Sequence, residues 1–104
     1  MQIACNLQDL SHEERERRTA LADELTCASV RVTELAYGYS FEIMGGAATL
    51  RKVHELVALE RRCCPFLTIE LTSEPATGLT VLTITGGRGV KEFIAAQFLD
   101  KEAS

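Results

Sequence analysis

FEIMGGAATLRKV at residues 41–53 and LTITGGRGVKEF at residues 82–93 share one order of features. Each begins with an alternating stretch, breaks at a Gly-Gly pair, and continues with helical spacing. Phe41 and Ile43 flank Glu42, and Leu82 and Ile84 flank Thr83, which is the period of a half-buried strand. Another β-rich run precedes each: Val30–Leu35 before a turn at Tyr37-Gly38-Tyr39, and Phe66–Leu71 before a turn over Pro75–Gly78. The chain therefore reads as two ββα units, whether by duplication or by shared turn chemistry. The connections inside both hairpins are too short for crossovers, so every pairing is antiparallel. The expected class is α+β: a four-stranded antiparallel sheet with two helices on one face.

Outside this repeat stands one more helix, over about residues 11–26. Ser11 is a good N-cap and Glu14 completes a capping box. Glu13 and Glu14 lie four residues before Arg17 and Arg18, the spacing for ion pairs along a solvated face. Leu21, Ala22 and Leu25 form a narrow apolar stripe. The organisation is a single domain over 1–104, with an extension and helix at 1–27, one ββα unit at 28–64 and a second at 65–100. The other sheet face needs a cover, either the N-terminal helix or a second copy of the chain, which makes a homodimer an expectation.

A chain of 104 residues has room for one modest core. Apolar residues at 46% and charged residues at 25% argue against disorder. A net charge of −4 argues against nucleic acid and anionic membrane as partners. No apolar run is long enough to span a bilayer, and the first residues lack the basic and apolar regions of an export signal. The expected compartment is the cytosol, where thiols stay reduced.

The chemistry gathers at LERRCCPF, residues 59–66. This stretch ends the helix that runs from about 47 to 63. On a helical wheel, Leu50, Val53, Leu56, Val57, Leu59, Cys63 and Cys64 share an arc, while Arg51, Glu55, Arg61 and Arg62 face away. Glu60 breaks the rule by falling inside the apolar arc. A carboxylate there is costly unless neutral or paired; the plain reading is escape to solvent or pairing with an arginine such as Arg31. The sharper reading is a polar site shared by Glu60, Cys63 and Cys64.

Pro65 ends the helix at Cys63 or Cys64. The helix dipole is negative there and disfavours a thiolate, so a low-pKa nucleophile is not what the position builds. A thiophilic metal reverses that logic, because it deprotonates its thiol ligands and gains from the dipole. Cys5 and Glu60 are the candidates to complete a site with Cys63 and Cys64. The plain reading of Cys27 is a small buried hydrophobe. His12 and His54 read as surface residues, and no Ser-His-Asp order appears.

The signature Glu60-x-x-Cys63-Cys64-Pro65-Phe66, a hairpin ahead of it and an N-terminal Ala4-Cys5-x-Leu7 resemble a group of small bacterial proteins with an E-x-x-C-C-P-F motif. The resemblance spans most of the chain and implies no particular activity. It matches Cys5, Glu60, Cys63 and Cys64 to motif positions and leaves Cys27 out. The expected function is a non-enzymatic binding protein for zinc or another thiophilic metal or metalloid, with a metal ion or small thiol-reactive ligand as partner. The alternatives are a thiol redox protein and an interaction module whose cysteines only pack.

Overall fold

The computed structural model describes residues 7–99. A 3₁₀ turn over Leu7–Asp9 leads into α1 (His12–Cys27), followed by β1 (Ser29–Leu35), β2 (Gly38–Met44), α2 (Ala47–Cys63), β3 (Thr68–Glu74), β4 (Leu79–Thr85) and α3 (Val90–Ile94). The chain continues from α3 into a π-helical turn over Ala95–Leu99. The sheet order is β1-β2-β4-β3, with all pairs antiparallel. This is the expected α+β fold: two hairpins joined side by side through β2 and β4.

The helices start and stop where local chemistry requires. The Ser11 hydroxyl accepts from the Glu14 N–H at 3.1 Å, while the Ser11 N–H donates back to Glu14 Oε1 at 2.9 Å. At the far end of α2, the Cys64 N–H donates to the Glu60 carbonyl, and the Leu67 N–H closes a turn onto the Cys64 carbonyl. Pro65 ends the helix as expected, but that turn delays β3. Phe66, expected in the strand, instead sets its ring edge-on to Phe93, with centroids 5.2 Å apart.

One sheet face carries the core. Tyr39 lies across from Ile84, Phe41 from Leu82 and Ile43 from Thr80, and all but Tyr39 are buried. Val53, Leu56 and Leu59 of α2, Leu21 and Leu25 of α1, and Ile94 and Phe98 pack over this face. The rings of Phe41 and Phe98 meet at 5.8 Å. The first and last helices thus join α2 in one layer.

That layer corrects one premise. The opposite face is not covered by α1. Its central rows are Thr33, Ser40, Thr83, Glu70 and Arg31, Glu42, Val81, Thr72, while Leu35 at one end and Met44 and Leu79 at the other add apolar side chains. Its middle is thus mostly polar, as one face of an antiparallel sheet can be. A bulge between Ser29 and Arg31 interrupts the outer edge of β1, where Val30 is exposed.

The ion pairs expected along α1 are not the ones formed. Its charged side chains cross to α2 instead. Arg17 binds Glu55 through two hydrogen bonds of 2.8 and 2.9 Å. Lys52 reaches Glu24 at 2.8 Å, and Arg62 reaches Glu14 at 2.5 Å and the Asp9 carbonyl at 2.6 Å. Arg18 turns inward.

Candidate functional site

Glu60 and Cys63 are three residues apart on α2 and so lie on one face of its last turn. Cys64 follows as the C-cap, with φ −130° and ψ 64°. That non-helical backbone brings its sulfur back over the same spot: Cys63 Sγ and Cys64 Sγ are 3.4 Å apart. A carboxylate oxygen of Glu60 and the two sulfurs lie within 4.8 Å of one another. Glu60 is 1% exposed, Cys63 0% and Cys64 1%. The wheel position of Glu60 therefore marks a buried carboxylate, not one that escapes to water.

Its counter-ion is Arg18, not Arg31. Arg31 is exposed and lies 3.8 Å from Glu42. Arg18 Nε sits 2.6 Å from Glu60 Oε1, and both side chains are buried. Arg18 also donates from Nη2 to Gln97 Oε1 at 3.0 Å, which ties α1 to the π-helical turn. Among the described residues neither carboxylate oxygen accepts a well-formed hydrogen bond. The pair is a close, buried ion pair in which the attraction of Arg18 works against the burial of Glu60.

The protonation states follow from burial. Burial pushes the Glu60 carboxyl up from its ordinary value, against the pull of Arg18. Burial also raises the Cys63 thiol, the Glu60 charge adds to that rise, and Arg18 opposes it. Cys63 is thus a neutral thiol at physiological pH.

The cysteines differ in state. Cys27 and Cys63 carry free thiols, whereas Cys64 is disulfide-bonded. This corrects the expectation that both members of the pair are reduced. Cys27 is exposed, not buried as its plain reading held. Cys5, expected to share the site, lies outside the described residues. His12 and His54 are exposed as expected, with His12 set 2.6 Å from Glu16.

Arg18 is the site residue that sequence reasoning missed. The clue was present: Arg18 stands three, four and seven residues before Leu21, Ala22 and Leu25, on the stripe that faces the core. Its spacing from Glu14 offered a surface partner and hid that placement.

Chemically, the arrangement is a small, dry cluster of one oxygen and two sulfur donors, backed by a guanidinium. No protein-family model, no curated protein and no solved structure matches the chain. No helix among the described residues is long and apolar enough to cross a membrane.

Proposed function

We propose that the reduced chain binds a thiophilic metal ion through Cys63, Cys64 and Glu60. The observation that carries this reading is the buried carboxylate whose oxygens accept no well-formed hydrogen bond among the described residues, set within 4.8 Å of two sulfurs. Such a group is costly in a core that only packs, and coordination to a cation would satisfy it. The spacing suits a small ion. Metal–sulfur bonds of about 2.3 Å in tetrahedral geometry hold two sulfurs about 3.8 Å apart; with Cys64 in its disulfide they are 3.4 Å apart, so a small shift on reduction reaches that spacing. Soft sulfur donors select zinc-like and softer ions over magnesium or calcium.

The test is zinc titration of the reduced protein with thiol counting. Stoichiometric uptake that shields Cys63 and Cys64 from alkylation is the expected result. Cys63→Ser should abolish uptake, because serine is a poor ligand for soft metals, and should cost about 1–3 kcal/mol of stability by placing a hydroxyl in a dry site. Zinc uptake that survives Cys63→Ser would remove that residue from the ligand set.

A second reading is favoured by the disulfide at Cys64, beside the free thiol of Cys63. In thiol–disulfide exchange, the Cys63 thiolate would attack Cys64 Sγ, forming the vicinal bond and releasing the other sulfur as a thiolate. Burial and the negative helix end both work against that thiolate, and the vicinal ring is strained. Rapid reduction of a small disulfide by the metal-free protein would favour this reading over the first.

A further inference from the structure

Resting on the metal-binding reading, we infer that metal uptake at this site is coupled to thiol redox state: the cluster accepts a thiophilic ion when Cys64 is reduced and gives it up when the Cys64 disulfide forms. The ground is the place of that disulfide. It falls on one of the two sulfurs of the cluster, while the other, Cys63, stays a free thiol 3.4 Å away. A sulfur already bonded to sulfur carries no thiolate charge, and the thiolate is the form that ligates. The oxidised cluster is therefore left with one soft donor and the Glu60 carboxylate. Reduction restores the second soft donor and also frees the sulfur joined to Cys64, so it adds donors and removes none.

The backbone keeps the site in place through the change. The Cys64 N–H donates to the Glu60 carbonyl at 2.6 Å, and the Cys64 carbonyl accepts from the Leu67 N–H at 3.2 Å. Neither bond involves the sulfur. Cys63 and Glu60 stand on the last turn of α2 and are fixed by the helix. Opening the disulfide thus frees an electron pair at Cys64 without dismantling the turn that aims it. All three residues are buried, so an ion held among them has no bulk water to replace a lost donor.

The reaction balances in both directions. A small dithiol gives two electrons and two protons to the S–S bond, becomes a cyclic disulfide, and leaves Cys64 and the sulfur it was joined to as thiols. Zinc then enters as Cys63 and Cys64 release their protons to solvent. In reverse, a small disulfide accepts two electrons from the Cys64 thiolate and that second thiol. The protein S–S bond re-forms, and the oxidant leaves as two thiols, with one proton from the second thiol and one from water. Cys63 takes a proton back from water and zinc is released. Because the ion binds the reduced chain alone, it favours reduction by mass action. Each tenfold rise in free zinc above the dissociation constant should make the disulfide tenfold easier to reduce, which is about 30 mV in a two-electron couple.

The experiment sets the full chain in mixtures of reduced and oxidised dithiothreitol at buffered free Zn²⁺, then counts free thiols by alkylation after acid quench and unfolding. The midpoint should move by about one decade of the dithiothreitol ratio for each decade of zinc. The oxidised chain should take up no zinc at concentrations that saturate the reduced one. A midpoint that stays fixed while the reduced chain binds zinc overturns the coupling and leaves the metal-binding reading intact, and so does equal uptake by the oxidised chain. No uptake by the reduced chain removes the metal-binding reading itself, and the inference falls with it. Cys63→Ser keeps Cys64 and its disulfide but lacks a ligand, so its midpoint should ignore zinc. A midpoint that still follows zinc there would place the coupling at other thiols and overturn its assignment to this cluster. If Cys63→Ser does not fold, the wild-type series decides the question alone.

Discussion

Arg17 and Arg18 are neighbours on α1, and each faces a glutamate of α2, yet they form opposite kinds of ion pair. Arg17 and Glu55 make two well-formed hydrogen bonds with both side chains nearly half exposed. Arg18 and Glu60 approach more closely, out of water, and the carboxylate oxygens accept no well-formed hydrogen bond among the described residues. Good geometry at the surface is worth little, because water already solvates both charges. In the interior the same contact carries high stakes, since removing the arginine strands the carboxylate. A seam built for stability alone would place the better geometry inside. Here the inner pair is the one left with unused bonding capacity, which is why the site is read there.

The largest expected effect breaks the inner pair. Arg18→Met should destabilise the protein by about 3–5 kcal/mol at neutral pH, read from denaturant midpoints. The deficit should shrink as pH falls, because a stranded Glu60 escapes by taking a proton. An equal loss at all pH values would mean that packing, not charge, explains the cost.

Glu60→Gln should act more gently and with the opposite sign. Burial raises the folded-state value of Glu60 above its unfolded value of 4.5. A raised carboxyl contributes stability that is fully present below the unfolded value and is lost as pH rises through the folded value. The variant should therefore be more stable than wild type at pH 7, with the advantage gone below about pH 4.5. A variant less stable than wild type at neutral pH would show that the Arg18 attraction outweighs desolvation.

The smallest effect belongs to the outer pair. Glu55 is held below its ordinary value by the Arg17 hydrogen bonds, but both partners face solvent. Arg17→Met should leave the midpoint almost unchanged and should lose any effect in high salt. A large, salt-resistant loss would erase the contrast between the two pairs.

Legibility in the sequence followed the same division between local and distant causes. Helix α2 is bounded by Gly46 and Pro65, and both limits could be read directly. Glu60 stood out because one charged residue interrupted an apolar arc. The start of β3 did not show, because the turn from Cys64 to Leu67 hides inside a β-rich run. The shift to a π-helical turn after Ile94 left no mark in the spacing. The Arg18–Glu60 pair joins residues 42 positions apart on separate helices, and each arginine of α1 had a nearer glutamate to claim. The polar middle of the outer sheet face was written in Ser40, Glu42 and Thr83, which alternate with the inward Phe41, Ile43 and Leu82.

The bulge at the start of β1 bears on how this protein behaves when crowded. β1 is an outer strand with Val30 and Val32 exposed, the kind of margin along which sheets extend into fibrils. A strand arriving from another molecule would meet a break in register between Ser29 and Arg31, with the Arg31 charge set between the two valines. Growth would stall within a few residues. The opposite outer strand, β3, is guarded by Glu70 and Glu74. The molecule thus carries resistance to fibre formation at both margins of its sheet, independently of anything that happens at the buried sulfurs.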